Sequence, residues 1–228
     1  MEILHRDDLP LGGFAGVREY RLVTESRLFG EHGAPGAWNG LGRFVYLADA
    51  RFVPRGETRM HSHREVDVIS VILSGRIAHQ GSLEHGQELG VGDVQVQRAG
   101  GEGFEHNEIN PDDTENRMLQ LWVLPELRGE PAGYRHYPVP QGKMVRVYGG
   151  KADQVETLPA GTLIDVGWLD SEQTATSRGP TLAYLASGSG SANGREVIEG
   201  NLMRSDGLHF EADEPSAIVL VHLSDNAR

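Results

Sequence analysis

The feature that most constrains this chain is the alternation, along almost its whole length, of short β-branched or aromatic runs with glycine-centred turns. Phe44–Leu47, Val66–Leu73, Arg76–His79, Val94–Gln97, Met118–Leu124, Met144–Tyr148, Leu163–Leu169, Thr181–Ala186 and Ala217–Leu223 read as strands. Turn signals such as Ser74-Gly75, Gly92-Asp93, Asn110-Pro111, Gly149-Gly150 and Asn193-Gly194 bound them. Helical periodicity is weak, and Val17–Thr24 fits a helical turn or a further strand equally well. Thirty glycines in 228 residues exceed the usual share of about 7% and suit turns that need positive φ. The expected fold class is all-β, a sandwich or barrel.

Pro125–Lys143 breaks the pattern with four prolines and reads as a connection. Two units are therefore expected, residues 1–130 and residues 131–228, the second beginning in that linker. A faint self-similarity joins them, because Val66–Gly75 with Gly90–Gln97 has a counterpart in Thr181–Gly190 with Gly200–Leu208.

Composition removes several function classes. The chain has no cysteine, which excludes disulfides, thiol nucleophiles and iron–sulfur clusters and leaves imidazole and carboxylate as metal ligands. A formal charge of −12 argues against direct nucleic-acid contact and anionic membranes. No apolar run reaches the roughly 18 residues of a membrane span, and the start, MEILHRDDLP, has no secretory pattern. A cytoplasmic protein is expected.

Chemistry concentrates in two segments. His61 and His63 are two apart and share one face of an extended strand. On an unbroken strand Asp67, Ile69, Val71 and Leu73 would lie on that face too, with Arg64, Val66 and Val68 on the other. Forty-three residues after His63 comes His106-Asn-Glu108, again at i, i+2 spacing, behind Gly100-Gly101-Glu102-Gly103. Two such strands can supply three nitrogens and one carboxylate oxygen, a set that suits iron, nickel, copper, manganese or zinc and leaves coordination positions open. Glu102 and Glu105 are alternative carboxylates, although Glu105 has the opposite parity. Asp67 is a candidate fifth ligand or an acceptor for an imidazole N–H. His79 and His85 flank a turn and read as solvated or turn-bonded. The remaining histidines lack trusted ligand spacing, and Met118, Gln120 and Trp122 share a strand face that could line a pocket.

These residues resemble a known pattern. Gly56…His61-x-His63-x-x-x-Asp67…Gly75 resembles the first cupin motif, and His106-Asn-Glu108-Ile-Asn110-Pro111 is similar to the second motif of the pirin family. The likeness extends from about Arg43 to Pro125, with Ser62 where proline is common and Asp67 where glutamate is usual. It implies two cupin (jelly-roll) domains, the C-terminal one degenerate. It also implies His61, His63, His106 and Glu108 as ligands of one divalent transition metal, Fe(II) foremost, with Ni, Cu, Mn or Zn as alternatives.

For function the resemblance implies three readings. One is a quercetin 2,3-dioxygenase-like enzyme acting on a small aromatic substrate and dioxygen, with Glu108 as the catalytic base. A second is an iron-dependent redox sensor or transcriptional cofactor that docks on a protein partner. A third is a cupin acting on another small molecule.

Overall fold

The computed structural model describes residues 1–83 and 86–224, so His85 lies outside the described residues. Strands make up more than half of it, and the one α-helix among the described residues is the four-residue Ser26–Phe29. Val17–Thr24 is a strand, pairing with Phe44–Phe52. The all-β expectation holds. No helix is long and apolar enough to cross a membrane among the described residues.

The chain divides into two compact units, Leu9–Pro138 and Met1–Asp8 together with Val139–Arg228. The division expected between residues 130 and 131 falls inside the Leu9–Pro138 unit. Gly133–Pro138, read above as linker, pairs along its whole length with Asp93–Arg98, from Gly133↔Arg98 to Pro138↔Asp93. Glu2–His5 pairs with the stretch from Asn201 to Arg204, so the first residues belong with the C-terminal half. Neither pairing leaves a local signature, because each partner lies outside the window in which periodicity is read.

The Leu9–Pro138 unit is built from two sheets. A seven-stranded sheet runs Gly133–Pro138, Asp93–Arg98, Asp67–Ser74, Arg117–Val123, Phe44–Phe52, Val17–Thr24, Gly12–Phe14, and a four-stranded sheet runs His61–His63, Phe104–Ile109, Ile77–Gly81, Glu88–Leu89. Their inward faces meet in a core where Ile77 and Leu89 of the smaller sheet pack with Val17, Phe52, Ile72 and Met118 of the larger. Fully burying a side chain of this kind contributes about 1.5–3 kcal/mol. A satellite cluster of Val66, Val68, Ala99 and Phe104 with Trp122 supports the strand that carries the second histidine motif.

The other unit is one eight-stranded sheet, in which Thr174–Ser187 is flanked by Asn201–Ala212 and Ser216–Leu223. Leu185, Met203, Leu208, Phe210, Ile218 and Leu220 form its apolar core. This unit also holds an ion-paired set, in which Arg146 and His222 both bond the Asp165 carboxylate.

Candidate metal centre

The two motifs meet through strand register. His61–His63 runs antiparallel to Phe104–Ile109, with Phe104↔His63, Glu105↔Ser62 and His106↔His61 as partners. Two-residue parity then turns His61, His63 and His106 to one side and leaves Ser62, Glu102 and Glu105 exposed. Neither alternative carboxylate enters the site. On its other edge the same strand pairs His106 with Gly81 and Glu108 with His79.

Glycine is required at one point beside the site. Gly103 adopts φ +78°, and a Cβ there would lie 2.8 Å from the His63 carbonyl oxygen. The glycine-rich approach thus lets the second strand close tightly on the first.

One nitrogen from each of the three histidines lies within 4.8 Å of the others, the only such cluster of histidine or carboxylate groups among the described residues. His63 Nε2 and His106 Nε2 are 3.2 Å apart, and His106 Nε2 and His61 Nε2 are 3.1 Å apart. His61 Nδ1 donates to the Arg59 carbonyl at 2.8 Å, which leaves its Nε2 lone pair facing the cluster. Burial first, and the neighbouring imidazoles second, lower the His63 pKa to about 4 and the His106 pKa to about 2. Both rings are therefore neutral at pH 7, the form that ligates metal.

These observations test whether the residues fit a metal ion. A neutral imidazole carries a single N–H, which at His106 Nε2 can be directed at only one of the two neighbouring nitrogens, so lone pairs that a cation would satisfy still converge. Two ligand nitrogens about 2.1 Å from one ion and at right angles lie about 3 Å apart, close to the spacings found. The residues fit.

Glu108 shares the inward face but stands apart from the three-histidine cluster. Its carboxylate is wholly buried; Oε1 accepts from Ser70 Oγ at 2.8 Å and from Gln95 Nε2 at 2.9 Å. Its Oε2 has no hydrogen-bond partner. Burial pushes this carboxyl up to about 7, against the lowering effect of the Ser70 and Gln95 hydrogen bonds. A buried carboxylate with one oxygen clamped and one free is what a divalent ion would compensate.

Three expectations are corrected. His79 is not solvated: it is fully buried, its ring 5.5 Å from that of His106 and its Nε2 3.0 Å from Gln97 Nε2. The run from His61 to Leu73 is not one strand, because Arg64–Val66 interrupts it with Glu65 at φ +54°. That break reverses the parity beyond it. Ser70 faces the site and bonds Glu108, while Asp67 points the other way and accepts from Arg98 Nε at 3.1 Å, so it is neither ligand nor imidazole acceptor. Ser70 and Gln95 carry no sequence signal for this role: they are partners in the larger sheet, and only the packing of that sheet on the smaller one brings them to Glu108.

His61 and His63 open onto a cavity of about 390 Å³ whose walls include Phe14, Val17, Phe29, Ala50, Phe52, Met118 and Trp122. Met118, Gln120 and Trp122 line it together, as their shared strand face suggests. Phe29, Tyr46 and Trp122 stack with ring centroids 4.6 to 6.2 Å apart, and Trp122 meets His63 edge-on at 5.5 Å. The result is a flat apolar slot with imidazole nitrogens at one end.

Comparison with known proteins agrees with this geometry. The family model described as Pirin matches residues 41–123. A Pseudomonas aeruginosa protein, named provisionally as a quercetin 2,3-dioxygenase, is 31% identical over 178 residues, covering 72% of this chain and 76% of that one. A Zymomonas mobilis protein with the same provisional name is 31% identical over 131 residues, covering 56% of this chain and about half (52%) of the relative's own length. In fold, the bacterial pirin YhhW of Escherichia coli, solved in complex with nickel(II), superposes with a TM-score of 0.81 at 16% identity, over 97% of this chain and 98% of that one. With both histidine motifs inside the matched segment and the three imidazoles converging in a cupin-type barrel, this chain belongs to the pirin family.

Proposed function

We propose that this protein is a metal-dependent dioxygenase of the quercetin 2,3-dioxygenase type, with His61, His63, His106 and Glu108 holding one divalent ion, Fe(II) foremost. The observation that carries the reading is the convergence of three neutral imidazole nitrogens at one end of an aromatic-walled slot. The provisional names of the two bacterial relatives support the same reaction class.

A divalent transition ion held there supplies Lewis acidity and a route for electron exchange between an electron-rich aromatic substrate and dioxygen. The chain's own residues do the rest. Phe29, Tyr46 and Trp122 receive a planar ring system by stacking, and Val17, Phe52 and Met118 keep water from it. Glu108, whose carboxyl titrates near neutrality through burial, accepts the proton of the flavonol 3-hydroxyl at Oε2. Ser70 and Gln95 hold Oε1 and fix the direction in which Oε2 points. The overall conversion adds both atoms of dioxygen to the flavonol, opens its central ring and releases carbon monoxide.

The test joins elemental analysis with oxygen uptake on quercetin. About one metal per chain in the wild type, lost in His61→Ala, is expected, together with turnover that falls at least about 100-fold in Glu108→Gln. Undiminished turnover in Glu108→Gln or His63→Ala would refute the scheme.

A further inference from the structure

The cavity described above carries two groups of ionisable side chains on its mostly apolar wall, and only one of them is the histidine pair. The other is formed by Glu19 and Arg21, which alternate on Val17–Thr24 and line the same cavity. Glu19 is 7% exposed. Its Oε2 accepts from Tyr46 Oη at 2.9 Å, while its Oε1 makes no hydrogen bond and lies 3.7 Å from Arg21 Nε. The Arg21 guanidinium likewise donates no hydrogen bond to any described residue. A buried carboxylate with one oxygen unbonded is costly to keep on the wall of a mostly apolar slot unless a ligand engages it, and the one-third exposed Arg21 guanidinium beside it has donors to spare.

Their position relative to the histidines is set by a continuous wall. His63 meets Trp122 at 5.5 Å, Trp122 stacks on Tyr46 at 4.6 Å, and Tyr46 bonds Glu19. On the neighbouring strand, register sets Glu19 beside Ala50, a lining residue whose small side chain leaves room there. A flat molecule anchored at the histidines therefore reaches the pair with its far ring.

The charge pattern selects the chemistry of that ring. A carboxylate there would meet Glu19 and a cation would meet Arg21. Adjacent neutral hydroxyls satisfy both, one donating to the carboxylate and the neighbouring oxygen accepting from the guanidinium. The 3.7 Å gap is too long for a direct hydrogen bond and suits two vicinal oxygens placed across it.

We propose that Glu19 and Arg21 form a catechol-recognising subsite that selects aromatic ligands carrying vicinal hydroxyls at the end remote from the histidines. This rests on the dioxygenase reading for the anchored end of the ligand, and it names the substrate class within that reading. Glu19 acts as a specificity-determining residue that touches the ligand, with Tyr46 as the residue that positions it.

The test is anaerobic titration calorimetry of the metal-loaded protein with 3-hydroxyflavone and with its 3′,4′-dihydroxy derivative. The wild type should bind the dihydroxy compound at least about tenfold more tightly. Glu19→Gln should reduce that ratio to within about threefold, with metal stoichiometry unchanged. If Glu19→Gln yields little folded protein, Arg21→Gln, on a side chain one-third exposed, must shrink the ratio in the same direction. An unchanged ratio in the folded variant overturns the subsite, as does a wild type that does not discriminate or binds neither compound. Failure of the parent reading looks different: discrimination that depends on Glu19, with no oxygen consumed on either compound, leaves the subsite standing and removes the dioxygenase.

Discussion

Asp67 offers the sharpest check on how this site is divided from its support. In sequence it occupies the acidic position of the first histidine motif, yet the structure buries it fully on the far side of its strand, bonded to Arg98 across the ladder. Arg98, itself 6% exposed at the side chain, also reaches Glu130 at 3.1 Å. Breaking a buried ion pair by removing one partner costs about 3–5 kcal/mol. Asp67→Asn keeps an acceptor oxygen and leaves Arg98 compensated by Glu130, which places its cost near the lower end, about 3 kcal/mol. Arg98→Met removes its hydrogen bonds to Asp67 and Glu130 and takes the guanidinium from the Asp67 carboxylate, placing the cost at about 4–5 kcal/mol. The double variant should cost less than the sum of the two by about 2 kcal/mol, because neither charge is then left facing a missing partner. At roughly 2–4 °C per kcal/mol for a chain of this size, Asp67→Asn lowers Tm by about 6–12 °C. Calorimetric melting and metal content measured on the same samples provide the assay. Full metal stoichiometry with a lowered Tm is expected. Metal lost at an unchanged Tm would make Asp67 a ligand and refute the parity reversal at Glu65.

Three further outcomes follow from the same geometry. Asp165 is buried, which raises its pKa, but hydrogen bonds from His222 and Arg146 outweigh that and hold it below the usual carboxylate range. Its contribution is present above about pH 4 and lost as pH falls through the folded-state value. Asp165→Asn should therefore cost about 1.5–3 kcal/mol at pH 7 and converge with wild type in urea melts at acidic pH; parallel curves at all pH values would contradict the assignment. Ala50→Leu fills the floor of the slot beside Met118 and Glu19 and should weaken flavonol binding by at least about tenfold in calorimetry, with metal content intact. Gly103→Ala forces a Cβ at φ +78° within 2.8 Å of the His63 carbonyl and should cost about 1–3 kcal/mol, read as a lowered Tm together with weaker metal retention.

What could be read directly from the chain is local. Two-residue spacing puts His61 with His63 and His106 with Glu108 on common faces, because side-chain alternation is a property of any extended backbone. Glycine-bounded apolar runs gave the all-β class for the same reason, each strand and turn being specified within a few residues. Parity failed where one residue, Glu65, takes a left-handed φ and splits the expected strand in two. Whether the backbone turns there depends on which sheet each half joins, and that is a long-range choice.

Everything that makes the site a site was decided at the tertiary level. Register alone places His106 opposite His61 and Glu108 opposite His79. Packing of distant strands brings Ser70 and Gln95 to Glu108, and Tyr46 to Glu19. The first residues join the C-terminal unit through an edge pairing some 200 positions away. A sequence fixes periodicity because neighbouring side chains share a backbone. Which periodic elements face one another is settled only when their apolar faces are buried together, and that burial is a property of the whole fold.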